Sequence, residues 1–220
     1  MYAPASVNSA ISSLNSFFSY MDWHDIRIKA LKIQRQIFSS KDKELTKTEY
    51  ERLLTAAKNK KNERLYYLMQ TICSTGIRIS ELRYITASAV KTGQAVINCK
   101  GKMRIIILPK ELCKMLMKYI RENNIKNGSV FVSRNGKPLD RSHIWKMLKA
   151  LCKIAGVSKD KVFPHNFRHL FARTYYNLQK DIVRLADILG HSSVNTTRIY
   201  TIETGEIHRR QMQKLGLLRC

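Results

Sequence analysis

The sequence predicts a mainly α-helical domain carrying a small antiparallel β-sheet, an α+β fold. Apolar residues recur at helical spacing through most of the 220 residues, and the period drops to two only around residues 94–108. Helix punctuation fills much of the rest. Thr46-Lys47-Thr48-Glu49 fits a capping box, Pro164 precedes a helical stretch, and Gly76 and Gly190 follow others.

The first element is an amphipathic helix over 5–21. Val7, Ile11, Leu14, Phe18 and Met21 share one stripe, with Ala10 and Phe17 beside it. The stripe is larger than a lone helix would carry, so it predicts a packing partner. A weaker helix is expected over 26–37, and the polar run 38–43 reads as a linker. Leu45 and Tyr50 sit where a hydrophobic staple would flank the capping box, and Leu53, Leu54 and Ala57 extend a buried face. Leu65, Leu68, Met69 and Ile72 predict a helix over 64–74, and a new one is expected to begin near Ile79.

Residues 94–99 and 104–108 read as strands joined by a tight Lys100-Gly101-Lys102-Met103 hairpin, with Pro109 ending the second. A helix is expected over 110–123, then a short strand Val130-Phe131-Val132 and an Asn135-Gly136 turn. Asp140 caps a helix through 153, and Pro164 opens one to about 177. Asp181 starts a helix that Gly190 stops, a short helix carries 194–200, and a weakly helical basic tail covers 204–215.

The chain carries 40 Lys+Arg against 16 Asp+Glu, a formal charge of +24. A folded domain that basic implies a polyanionic partner, with nucleic acid first among the candidates. No apolar run reaches membrane-spanning length, and no secretory signal is legible, so no membrane is expected. Five widely spaced cysteines without a CxxC pair favour a reducing cytoplasm over a disulfide framework. The histidines show no HExxH and no pairing with cysteines, so neither a metal nor another cofactor is expected.

The candidate chemistry lies in six side chains. Arg78 follows Gly76, with Glu81 one turn on to hold its guanidinium; alone, the two read as a surface pair of little weight. Lys100 and Lys102 sit in the hairpin, where either could reach over a groove; each alone reads as a solvated turn charge. His165 and Arg168 are three apart on one helix face, which favours His165 over His169 as the functional histidine. His191 follows Gly190, and Tyr200 closes the segment. Together they fit one reaction. Two arginines can fork onto the oxygens of a phosphodiester and stabilise a pentacoordinate transition state. A phenol, with a pKa of about 10, needs cationic neighbours and a histidine acceptor to become a nucleophile. A lysine can protonate the departing sugar oxygen. No clustered carboxylates suggest a magnesium-dependent nuclease.

These residues lie in four motifs that resemble the tyrosine recombinase, or phage integrase, family: TGIRISEL at 75–82, CKGKMRIIILP at 99–109, HNFRH at 165–169 and LGHSSVNTTRIY at 189–200. Their order and rough spacing match over about residues 44–215. The resemblance implies that Arg78 and Arg168 bind the phosphate, that Lys100 is the general acid, and that His165 and His191 are the site histidines. It makes Tyr200 the nucleophile and Glu81 the buttress of Arg78. The family's hairpin often has two more residues after the glycine, which keeps Lys102 open as the acting lysine. Residues 41–220 resemble the catalytic domain, and 1–40 a partial helical core-binding domain and linker, with SVNSAISSLNSFFSYM similar to its penultimate helix.

The implied activity is metal- and ATP-independent DNA strand transfer through a 3′-phosphotyrosyl link, serving integration, excision or inversion of DNA. The implied partner is double-stranded DNA, bound by a homotetramer on paired sites, compatible with a monomer off DNA. The implied location is cytoplasmic, with the nucleoid. Two alternatives stand beside it: a truncated DNA-binding remnant without full recombination activity, and a DNA-relaxing enzyme resembling type IB topoisomerases.

Overall fold

In the computed structural model, residues 2–32, 43–99, 102–133, 135–200 and 212–214 are described, with Ala5, Cys99 and Lys102 described by their backbone alone. The chain divides into two compact units, 1–39 and 40–220.

The first unit is built on α1 (Pro4–Tyr20), which begins with proline in its first turn. The helix expected over 26–37 does not form over its described part, since residues 26–32 have no regular secondary structure. The reason lies in two asparagines on α1. Asn15 donates to the Ile28 carbonyl (2.9 Å) and accepts from the Ile28 amide (3.0 Å). Asn8 does the same to Leu31, at 2.9 and 2.8 Å. Seven helical residues rise about 10 Å, close to the length of three extended residues, so both amides engage one straight strap. The strap's backbone groups are taken by side chains, which removes the incentive to coil. Phe17, Phe18 and Trp23 pack around the end of α1 with centroids 6.2 to 6.3 Å apart. No described residue of this unit is fully buried, and Leu14, Phe17 and Met21 of the predicted stripe are exposed.

The second unit is arranged around α3 (Glu63–Thr75), which packs against α2 (Lys47–Asn59), α5 (Lys110–Glu122), α6 (Arg141–Ala155) and α7 (Pro164–Gln179). Leu65, Leu68, Met69 and Ile72 are fully buried, with Tyr67 and Thr71 buried beside them, as a central helix requires. The Thr46–Glu49 capping box forms at the start of α2, as its spacing predicts. α3 ends at Gly76, whose φ of +63 lets the chain turn sharply. A Cβ there would lie 2.5 Å from the Phe171 ring. The element after Gly76 is a tight 3₁₀ turn, Ile79–Tyr84, followed by α4 (Ala87–Thr92), which Thr86 caps.

The sheet is a two-stranded antiparallel hairpin, β1 (Gln94–Cys99) and β2 (Lys102–Ile107). The second strand starts earlier than expected, with Cys99 opposite Lys102 and Ile97 opposite Arg104. Ala95, Ile97 and Ile106 face the core, while Val96, Met103, Ile105 and Ile107 are exposed. Arg104 shares the inward parity. The expected strand at 130–132 is absent: Val130 and Phe131 are buried, but pairing is limited to isolated Thr86–Ser129 and Val132–Pro138 bridges. Pro138 has no N–H with which to extend the second bridge.

The remaining helices are α8 (Ile182–Leu189) and α9 (Val194–Thr197), the latter running into a 3₁₀ turn, Arg198–Tyr200. Ala172 of α7, Leu185 and Leu189 of α8, and Tyr200 form a small second core. Of the predicted tail only Met212–Lys214 is described, and it is helical; the rest of 204–215 lies outside the described residues. No described helix is long and apolar enough to cross a membrane.

The strap account predicts a local outcome. Asn15→Ala should speed hydrogen exchange of the Ile28 amide by about tenfold, the loss of roughly one hydrogen bond. Exchange at Leu31, held by Asn8, should stay near wild type.

Candidate active site

The site is assembled on the C-terminal end of α8. A helix end leaves carbonyls without intrahelical partners and carries partial negative charge. Three successive carbonyls there each take one arginine. Arg104 donates to Ile188 O (2.9 Å), Arg168 to Leu189 O (2.7 Å) and Arg78 to Gly190 O (3.1 Å). Three distant segments therefore meet: the turn after α3, the inner face of β2, and the second turn of α7.

Gly190 makes the meeting possible. Its φ is +63, and a Cβ would lie 2.6 Å from the Arg104 side chain. The turn is closed by the His191 amide donating to Ala186 O at 3.0 Å.

Glu81 is the counter-charge. It is 5 % exposed, and one carboxylate oxygen accepts from Arg78 at 3.1 Å while the other accepts from Arg104 at 2.5 Å. The same oxygen that takes Arg104 also accepts the Arg78 backbone amide at 2.9 Å. Glu81 thus fixes both the side chain and the main chain of Arg78.

Arg168 forms the floor. It is 2 % exposed and donates to Gly76 O, Leu189 O and the His191 ring nitrogen Nε2, the last at 3.0 Å. Burial, and Arg78 next, push its pKa down to about 10, so it stays charged at neutral pH. Arginine offers only donors. His191 Nε2 must therefore accept, and Nδ1 carries the proton it shares with Thr197 Oγ1 at 2.8 Å. Burial and the cations Arg168, Arg78 and Arg104 lower the His191 pKa to about 4, which keeps the ring neutral.

Tyr200 is 4 % exposed and lies in the small core beside these groups. Its ring stacks on His191 at 6.2 Å, 15° from parallel. Burial raises its pKa; Arg168 and Arg78 pull the other way. His165 lies at the solvent-facing rim on the first turn of α7, and desolvation of the covered part of its ring, then Arg168, Arg78 and Arg141, lower its pKa.

Arg78, Glu81, Arg168, His191 and Tyr200 are thus brought together, with His165 at the rim. Lys100 lies outside the described residues, and of Lys102 only the backbone is described, at the start of β2. Sequence reasoning missed three participants. Arg104 was legible as a charge of inward parity beside Ile106. Thr197 reads as one polar residue in a short polar helix. His169 was set aside as structural in favour of His165, yet its ring lies 4.8 Å from that of Tyr200.

Residues 43–206 match the model of the phage integrase family. The chain is 36% identical over 167 residues to tyrosine recombinase XerH of Campylobacter jejuni, covering 71% of this chain and 47% of that protein. It is 30% identical over 227 residues to tyrosine recombinase XerA of Thermococcus kodakarensis, covering 99% of this chain and 77% of that protein. A crystal structure of a XerA recombinase superposes with a TM-score of 0.66 at 29% identity, over 99% of this chain and 78% of that one.

The lowered histidines set an acid limit on stability. His165, His169 and His191 all sit below their ordinary value, the latter two at about 4. Between about pH 6.5 and pH 4 the unfolded chain binds protons that the folded one refuses, so stability falls as pH falls through that window. Urea unfolding at pH 7 and pH 5 should give the lower midpoint at pH 5, with a smaller drop in His191→Gln.

Proposed function

The chain belongs to the phage integrase family, and on that premise we propose that it is a site-specific tyrosine recombinase that cleaves and rejoins double-stranded DNA through Tyr200. The observation that carries this reading is the placement of Arg78, Arg168 and His191 on one helix end, beside the Tyr200 phenol.

In this reading Arg78 and Arg168 take the non-bridging oxygens of the scissile phosphate. Arg78, with a side chain 40% exposed, meets it first, while Arg168 supplies charge from a dry floor where electrostatic stabilisation is strongest. Glu81 and the α8 carbonyls hold both guanidiniums before substrate arrives, which avoids reorganisation during the reaction. The Tyr200 oxygen forms the bond to phosphorus and its proton passes to a neutral imidazole of the site. The bond from phosphorus to the 5′ oxygen breaks, and that oxygen takes a proton from Lys100 or Lys102. The products are a 3′-phosphotyrosyl link and a free 5′-hydroxyl. A 5′-hydroxyl from a second duplex reverses the step, because the phosphotyrosyl bond conserves the energy of the phosphodiester.

Residues 41–220 act as the catalytic domain. Residues 1–40 form part of a helical core-binding domain, a role that suits the exposed apolar face of α1. The enzyme works as a homotetramer on paired DNA sites in the cytoplasm, with nucleoid DNA as substrate.

Incubation with a pool of nicked duplexes of randomised sequence should yield a protein–DNA adduct that survives SDS. Tyr200→Phe should abolish it while duplex affinity stays within about threefold. Equal adduct from both proteins would refute Tyr200 as the nucleophile.

A further inference from the structure

We propose that His169 is the positioning residue of the nucleophile: its ring seats the Tyr200 phenol, and its buried Nε2 accepts the phenol's hydrogen bond as Tyr200 turns to the phosphate. The inference rests on the recombinase reading and extends it to a residue outside the six assigned above.

Three observations carry it. First, the imidazole of His169 meets the phenol ring edge to face, with centroids 4.8 Å apart and planes at 79°. Aromatic pairs favour this arrangement because the positive edge of one ring meets the negative face of the other. Second, His169 Nε2 is buried and has no hydrogen-bond partner among the described residues. A buried polar atom without a partner is unfavourable, and an apolar side chain would fill the same space without that cost. Its use therefore lies in a contact made during the reaction. Third, His169 stands one turn past His165 on α7, and the two rings touch at 4.3 Å and 71°. The rings of His165, His169 and Tyr200 form a continuous row from the exposed rim to the buried phenol. His191 stacks against the phenol as well, so Tyr200 is held between two imidazoles that differ in what they offer. The His191 Nε2 is already engaged by Arg168, whereas His169 Nε2 has no partner among the described residues.

Burial, with His165 and Arg168, holds the His169 ring neutral, and in the tautomer protonated at Nδ1 its Nε2 is the acceptor. A cationic ring there would offer only donors and would compete with Arg168 for the phosphate.

The test compares wild type with His169→Phe, His169→Met and His169→Gln on two substrates at saturating DNA. One carries an ordinary scissile phosphate. The other carries a sulfur in place of the bridging 5′ oxygen, so that the leaving group departs without a proton and adduct formation reports the nucleophile alone. His169→Phe keeps a ring but no acceptor. His169→Met removes both with little change of volume and serves if the phenylalanine variant does not fold. His169→Gln returns a polar atom near the place of Nε2. The proposal predicts that Phe and Met slow adduct formation at least about tenfold on both substrates, with DNA affinity unchanged, and that Gln stays within about threefold of wild type. A defect that the sulfur substrate repairs, or a Gln variant as slow as Met, would overturn it, as would wild-type rates throughout. Failure of wild type to form any adduct on either substrate would instead overturn the recombinase reading, and the His169 role with it.

Discussion

Three guanidinium groups converge on three consecutive carbonyls at the C-terminal end of α8, and one buried carboxylate, Glu81, holds two of them from the other side. Such a cluster of cations would repel itself in an apolar interior. The helix end tolerates it because its unpaired carbonyls need donors and its dipole favours positive charge. The rest of the unit follows from this constraint. Gly190 must lack a side chain so that Arg104 can pass, and Gly76 must turn left-handed so that its carbonyl meets Arg168. The inward Arg104 ties β2 to the end of α8.

The same arrangement prepares the chemistry. The carbonyls and Glu81 hold the guanidiniums of Arg78, Arg104 and Arg168 in place, which in the proposed mechanism spares reorganisation when a phosphate arrives. The donor-only character of Arg168 fixes the His191 tautomer, and Thr197 completes that chain of hydrogen bonds. Tyr200 joins the small core formed by α7 and α8, so its phenol and the α8 end are parts of one packing unit. Positioning of the phenol and positioning of the arginines are therefore mechanically coupled: a change in α8 packing displaces both.

Much of this was legible in the sequence, and the exceptions have physical causes. The helices of the second unit were marked by caps and periodicity, and the structure places them close to the expected bounds. Local pattern predicts a helix over 26–37 because it carries no sign of Asn8 and Asn15, whose amides claim the backbone groups of Leu31 and Ile28. Val130-Phe131-Val132 has strand composition, but among the described residues its pairing stops at the isolated Thr86–Ser129 and Val132–Pro138 bridges. Motif spacing points to Arg78, Glu81, His165, Arg168, His191 and Tyr200, which the structure brings near one another with His165 at the rim. It does not single out Arg104, because a charge in an isoleucine-rich strand reads as solvent-facing unless its parity with the buried Ile106 is counted. It misjudged His169, because sharing a helix face with Arg168 says nothing about contact with a residue thirty-one positions later.

In the proposed mechanism the α8 end presents Arg78 and Arg168 to neutralise one phosphate. A duplex in which a methyl group replaces one non-bridging oxygen at the scissile position removes the charge those arginines would meet. The rate of Tyr200 adduct formation should then be measured for wild type and Arg168→Ala on both the phosphate and the methylphosphonate. The account predicts that the variant is at least about a hundredfold slower than wild type on the phosphate, as for loss of an electrostatic donor, and recovers most of that deficit on the neutral substrate. An equal deficit on both substrates would contradict it, and would assign Arg168 to holding the fold together instead of to the charge of the phosphate.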